Sequence, residues 1–271
     1  MSRKILLLFI IIFALVAVAG IIALRNSGQH KLTKSGYSIF APGLISRAKE
    51  LEAKNNLLEA KNTYQKMIED SPNSASVMNW QKKIEELNIK LLFSPAITAG
   101  STLYEIKPGD TLAKIAREFK TTVELIMKSN GLASERIIPA RKLKVWTVPF
   151  SIVVYKSQNI LILKTNDEVI KTYVVATGKN NSTPVGTFKI TSKLPNPTWF
   201  KAGAVVPASS PANILGTRWM GFDLAGYGIH GTTEPQSLGK QVTQGCVRMS
   251  SPEVEELYAI VPVGTEVTII D

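Results

Sequence analysis

The chain has 271 residues, a formal charge of +11, one cysteine and two histidines. Such a length predicts two or three folded units, and a lone cysteine with no metal-ligand spacing excludes both an internal disulfide and a metal site, with no cofactor implied. The basic balance favours anionic partners such as lipid or cell wall, and the lack of zinc-finger spacing, RNA-recognition signature or Lys/Arg block argues against nucleic acid.

From residue 5 to residue 24 the sequence reads ILLLFIIIFALVAVAGIIAL, with no charge. A run of that length can cross a bilayer as a helix. Ala17-Val18-Ala19 would serve as a signal cleavage site, but the apolar run continues through Ile21, Ile22 and Leu24, so an uncleaved anchor over 5–24 is expected. Arg3 and Lys4 precede it while Arg25, Lys31 and Lys34 follow it, so the charge bias is weak. Residues 25–43 carry Gly, Ser and Lys without periodicity and read as a linker.

Residues 44–95 turn helical. Leu57, Ala60, Tyr64 and Ile68 fall on one face, and Val77, Trp80, Ile84, Leu87 and Leu91 on another. Pro72, Asn73 and Ser74 separate the two helices. Ala60, Tyr64 and Pro72 resemble the second helix of a tetratricopeptide repeat. The first half of such a repeat does not match, and a helical spacer is the preferred reading.

A compact unit over 103–148 follows. Asp110 can cap a helix whose Leu112, Ile115, Ala116 and Phe119 share a face. Thr121 and Glu124 form a capping box for a second helix, which Gly131 ends. Short strands are expected at 104–107 and 142–147. This β-α-α-β order, with Lys107-Pro108-Gly109-Asp110-Thr111-Leu112 and Asn130-Gly131-Leu132, resembles the lysin motif (LysM), a family that binds N-acetylglucosamine glycans such as peptidoglycan. The resemblance implies a glycan groove bordered by Gly109, Asp110, Thr111 and Asn130, although for Asp110 helix capping is the preferred role. Ala140 stands where that family often has glycine.

Over 151–271 the signals are mainly β. Runs at 152–154, 160–163, 169–175 and 187–191 are rich in β-branched residues, a helix is expected at 252–260 and a last strand at 266–270. The informative residues are His230 and Cys246. Thiolate is the useful form of a cysteine nucleophile, and an imidazole can take the thiol proton. With His30 in the linker, His230 is the practical partner for Cys246.

The order of short segments adds to this: Thr177-Gly178-Lys179, Thr183-Pro184-Val185-Gly186-Thr187-Phe188, Pro197-x-Trp199, Asn213-x-Leu215-Gly216-x-Arg218-Trp219-Met220, Tyr227-Gly228-Ile229-His230-Gly231-Thr232 and Gly245-Cys246-Val247-Arg248-Met249. Together they resemble the L,D-transpeptidase catalytic family across nearly the whole segment. The resemblance implies a mixed β-sandwich. It also implies a cysteine that forms a thioester with the third residue of a peptidoglycan stem, expels D-alanine and passes the acyl group to an amine, giving a 3→3 cross-link. Carried across, Cys246 is the nucleophile and His230 the base. The carbonyl of Gly231 orients the imidazole, and the N–H groups of Gln244, Gly245 and Cys246 form the oxyanion hole. Arg248 is either a carboxylate-binding fork or a loop brace, and Trp199 is placed in the substrate cleft.

Gln244 stands where the family usually has histidine, so a titratable group beside the cysteine is lost. Hydrolysis by water (an L,D-carboxypeptidase) and a non-catalytic wall tether remain open alternatives. The expected whole is a multidomain α+β chain: transmembrane helix, helical spacer, LysM module and mixed β-sandwich. Its partners are peptidoglycan stems and glycan strands, outside the cytoplasm.

Overall fold

A computed structural model describes residues 41–271 apart from Asp167 and Ala202. The anchor expected over 5–24 lies outside the described residues. Among the described residues, no helix is long and apolar enough to cross a membrane.

Helices α1 (Ala41–Ala53), α2 (Leu57–Asp70) and α3 (Val77–Leu92) come first. Their apolar positions meet as the helical spacing predicts. Leu57, Ala60 and Tyr64 share a core with Trp80, Ile84, Leu87 and Leu91, joined by Ala48 of α1.

The next unit comprises β1 (Ser101–Glu105), α4 (Leu112–Glu118), α5 (Val123–Ser129) and β2 (Lys142–Trp146), with β1 and β2 antiparallel. Leu112, Ile115, Ile126, Leu143 and Val145 fill its core. Both helix caps fall one residue later than the sequence suggests. The Asp110 carboxylate already accepts from the Tyr104 hydroxyl and the Lys107 N–H, each at 2.8 Å. Thr111 therefore caps α4, its hydroxyl accepting from the Lys114 N–H at 3.2 Å. Likewise Thr122 rather than Thr121 caps α5, through the Leu125 N–H at 2.8 Å. Asn130 ties α5 to β2: its Nδ2 donates to the carbonyls of Ile126 and Lys144, and its Oδ1 accepts from the Lys144 N–H, all at 2.8 Å.

The remaining elements are β3 (Phe150–Tyr155), β4 (Ile160–Thr165), β5 (Glu168–Val174), β6 (Thr177–Gly178), β7 (Gly186–Pro195), β8 (Trp199–Lys201), β9 (Ala204–Val206), β10 (Arg218–Phe222), β11 (Gly228–His230), β12 (Gln241–Thr243), β13 (Val247–Arg248), α6 (Ser251–Ile260) and β14 (Glu266–Ile270). In hydrogen-bond order the expected sandwich is one eight-stranded mixed sheet, β13-β11-β10-β7-β14-β3-β4-β5. The continuity runs through β7, whose first half pairs with β14 and whose second half pairs with β10. Two parallel contacts, β11 with β13 and β14 with β3, make the sheet mixed. The buried residues of its strands and of α6 form the main core.

The α-helical and LysM-like parts are fastened to this sheet. Asn88 of α3, 4% exposed, donates from Nδ2 to the carbonyls of Val169 and Ile170 at 3.3 and 3.1 Å. Glu85 accepts from the Thr172 N–H and hydroxyl at 3.2 and 3.1 Å. These contacts engage backbone groups of β5, an edge strand that would otherwise offer them to another chain. Buried Lys144 donates its ammonium to the carbonyls of Leu91 and Ser94 at 2.7 and 2.8 Å. The Thr122 hydroxyl donates to the Ala259 carbonyl of α6, and Trp146 stacks on Phe150 with centroids 5.3 Å apart. Ile89, Leu92, Leu125 and Trp146 accordingly join the core of the sheet.

Ala140 adopts a φ of +66° while its N–H donates to the Ile106 carbonyl at 2.8 Å. The left-handed region costs a residue with a Cβ about 1–2 kcal/mol, and glycine escapes that strain while losing more chain entropy on folding. Ala140→Gly should therefore raise the unfolding free energy by about 0.5–1 kcal/mol, read as a higher urea midpoint at unchanged slope.

Candidate active site

Strand alternation sends successive side chains to opposite faces of a sheet. Ile229 pairs with Val247 and His230 with Arg248 across the parallel contact of β11 and β13. Ile229 and Val247 are fully buried in the main core, so His230 and Arg248 point to the other face. Cys246 stands one residue before Val247 and shares that second face. The register thus sets Cys246, just before β13, and His230, at the end of β11, on the same face of the sheet. Strand β13 is held from both sides. Ala176 exchanges two backbone hydrogen bonds with Arg248, at 2.8 and 2.9 Å, and the His230 carbonyl accepts from the Met249 N–H at 2.9 Å.

The His230 ring is 3% exposed, and its Nδ1 lies 2.6 Å from the carbonyl oxygen of Gly231. A carbonyl only accepts, so Nδ1 carries the hydrogen and Nε2 keeps the lone pair of a base. Burial holds the imidazole pKa down at about 4. Backbone hydrogen bonds to Gly231 and Leu215 pull it upward, and the Arg248 charge pushes it further down. The approach of Leu215 depends on Gly216, which has φ +66°. A Cβ there would meet the Thr232 nitrogen at 2.8 Å and the Gly231 carbonyl carbon at 2.9 Å.

Cys246 is half-buried, with Sγ 3.5 Å from the Gly226 carbonyl oxygen. Burial raises its thiol pKa above the ordinary value, while a hydrogen bond from the Gly228 backbone and the Arg248 charge act the other way. With a raised thiol and a lowered imidazole, the resting pair is neutral thiol and neutral imidazole, not an ion pair. The loop before the cysteine is closed by Thr243, whose hydroxyl donates to the Cys246 carbonyl at 2.7 Å and accepts from the Gly245 N–H at 3.2 Å. Gly245 has φ +136°, and a Cβ there would lie 2.6 Å from the Tyr227 ring. Only glycine fits beneath that ring.

Arg248 is 6% exposed; its Nη1 donates to a Glu234 carboxylate oxygen at 2.7 Å and to the Ser237 hydroxyl at 3.1 Å. Its Nε has no partner among the described residues. The guanidinium is a buried brace between β13 and the 234–237 loop, and its charge reaches both Cys246 and His230.

The L,D-transpeptidase catalytic domain (YkuD) family matches residues 149–269, and the LysM domain family matches residues 104–146. The YkuD protein of Bacillus licheniformis, whose name assigns it to the L,D-transpeptidases, is 35% identical over 175 residues, covering 62% of this chain and 98% of that protein. The chain belongs to the L,D-transpeptidase family. The Bacillus subtilis YkuD protein is 36% identical over 173 residues, 61% of this chain and 97% of its own. A solved L,D-transpeptidase from Mycobacterium smegmatis aligns at 20% identity with a TM-score of 0.38, over 50% of this chain and 65% of that one.

Against this L,D-transpeptidase frame the remaining sequence expectations fall unevenly. Gln244 is exposed beside the cysteine loop. The Gly245 N–H, expected among the oxyanion donors, is engaged by Thr243. Trp199 is half-buried in the hairpin of β8 and β9, whose Phe200 is 76% exposed. Asn213 pins that hairpin, donating from Nδ2 to the carbonyls of Pro197, Val206 and Pro207 at 2.9, 3.3 and 3.2 Å. In the LysM domain Gly109 and Thr111 are exposed in the turn before α4, whereas the Asp110 and Asn130 side chains are committed to internal hydrogen bonds. Met220 is fully buried in the main core. Trp219, which the sequence does not single out beyond its motif, stacks its ring on His230 with centroids 6.0 Å apart. Strand alternation opposite Met220 was the available signal. Glu234 and Ser237 were not anticipated, and no local pattern marks them.

The depressed imidazole carries a linkage consequence. Its folded pKa of about 4 lies below the ordinary value of about 6.5, so between those values the unfolded chain binds the extra proton. Stability from this group is complete above about pH 6.5 and is lost as pH falls toward 4, a change on the order of 3 kcal/mol. Urea midpoints measured from pH 7 to 4.5 should fall steeply, and His230→Gln should flatten the dependence by about one proton.

Proposed function

We propose that the chain is an extracytoplasmic peptidoglycan L,D-transpeptidase that works through a thioester on Cys246. The observation that carries this reading is the placement of two side chains on one sheet face: a half-buried thiol just before β13, and on β11 an imidazole whose Nδ1–H is fixed by the Gly231 carbonyl. In the proposed cycle the Cys246 sulfur attacks the carbonyl carbon of the stem's third residue while its proton passes to Nε2 of His230. The tetrahedral oxyanion is met by the backbone N–H groups of Gln244 and Cys246, with Gly245 holding the loop shape through Thr243. Collapse breaks the C–N bond to D-alanine, and the imidazolium returns its proton to the leaving amine. An amine on a second stem then attacks the thioester, His230 takes its proton, and the thiol is restored with a 3→3 cross-link formed. Gln244 cannot titrate, so this cycle uses His230 alone as proton carrier. The LysM domain would hold the glycan strand that bears the stems. The substrate's location and the apolar segment 5–24 support an outward-facing, membrane-tethered arrangement.

Cys246→Ala should reduce D-alanine release from tetrapeptide stems by at least about 10³-fold, followed by mass spectrometry of the products. Retained turnover in that variant would sink the mechanism. Dimers among the wild-type products mark transfer, and tripeptides alone mark hydrolysis. A carbapenem should add its own mass to the wild-type chain and leave the Cys246→Ala variant unmodified.

A further inference from the structure

The proposed cycle leaves a charge to be accounted for. When His230 takes the thiol proton it becomes an imidazolium in a site that already depresses its pKa. The charged group acting on it is the Arg248 guanidinium on β13, a cation that opposes the new charge. The Glu234 carboxylate is paired with that guanidinium at 2.7 Å. Among the described residues no carboxylate lies within ion-pair distance of the imidazole, whose polar neighbours are the carbonyls of Gly231 and Leu215. Serine triads place an aspartate at this point.

Here the Gly231 carbonyl holds that place at Nδ1, and Trp219 covers the ring. This tryptophan is the cross-strand partner of His230 in the antiparallel pairing of β10 with β11. The rings are nearly parallel, at 21° with centroids 6.0 Å apart. The backbone has made room for the indole. A Cβ at Gly228 would sit 2.9 Å from the indole Cζ2, and one at Gly221 would sit 2.7 Å from its Nε1. The indole therefore rests directly on backbone, and Gly228 is also the residue whose backbone hydrogen-bonds the Cys246 sulfur. A cation within about 6 Å of an indole face is stabilised by the ring quadrupole, more so where water is excluded.

We propose that Trp219 is the positioning residue for His230, its π face meeting the imidazolium as the thiol proton arrives. This rests on His230 acting as the base. The indole has two effects of opposite sign. Excluding water disfavours the imidazolium, whereas the π face favours it, and the proposal is that the second prevails when the proton moves.

The sign can be read without peptidoglycan, from the rate at which iodoacetamide alkylates Cys246 at pH 7. That rate follows the thiolate–imidazolium population. Trp219→Leu keeps an apolar cover and removes the π face, and it should slow alkylation about tenfold. Trp219→Phe should recover most of the rate. In the His230→Gln background Trp219→Leu should change the rate less than twofold, which separates the coupling from altered access to the sulfur. An unchanged or faster rate in Trp219→Leu, beyond the change seen in the His230→Gln background, would overturn the proposal and leave the indole as a water shield. If Trp219→Leu does not fold, a Trp219→Phe rate equal to Trp219→Met supports only the shield, and a faster Phe rate supports the π face. D-alanine release is not part of this measurement, so failure of the transpeptidase reading would leave the result standing.

Discussion

Strand β13 is two residues long, and such a strand has little hold of its own on a sheet. It stays in place because β11 pairs with it on one side while Ala176 brackets Arg248 on the other. The register of that parallel contact fixes which residues face which way. A slip of one residue would send Cys246 into the core and bring Val247 to the site. The sequence around it serves the same constraint. Val247 and Met249 anchor one face in the core, and Thr243 closes the preceding loop on the Cys246 carbonyl.

Once the register is set, burial determines the chemistry. Water is excluded from His230, so its imidazole is met by the fixed dipoles of Gly231 and Leu215 and opposed, once protonated, by the Arg248 charge. That guanidinium is costly to bury without a partner, and Glu234 supplies one from a half-exposed position, so the cation is neutralised on its outer side. Its inner side still bears on the cysteine and the histidine, favouring thiolate and disfavouring imidazolium. Both shifts favour the uncharged forms of the two groups at rest.

Much of this was legible in the chain, for physical reasons. Helical spacing marked Leu57 and Tyr64 as one face and Trp80 and Leu87 as another, and the two faces meet in one core. The strands with β-branched runs were also legible, and β3, β4 and β14 alternate against a single core face. The short strands β11 and β13 were invisible to periodicity: three and two residues cannot display a pattern. They were reached only through the Cys246 and His230 segments. The α4 cap slipped by one because Tyr104, six residues before Asp110, claims its carboxylate, a contact no capping pattern contains. Trp219 did not stand out because a large apolar ring reads as core by default, and its alternation with Met220 becomes informative only once β10 is known to be a strand. Glu234 and Ser237 depend on a loop returning to β13, which sequence order does not reveal.

Lys144 has its ammonium buried and spent on the carbonyls of Leu91 and Ser94, while Asn88 of the same α3 is fixed to the edge strand β5. Helices, LysM domain and sheet thus share side chains and a common core, and residues 42–271 form one compact unit. A ligand gripped on the surface of α4 or α5 is carried at a constant offset from the cysteine. Such an arrangement is a calliper, not a pair of jaws on a string; under the proposed function, the repeat length of the polymer would dictate which stem reaches Cys246.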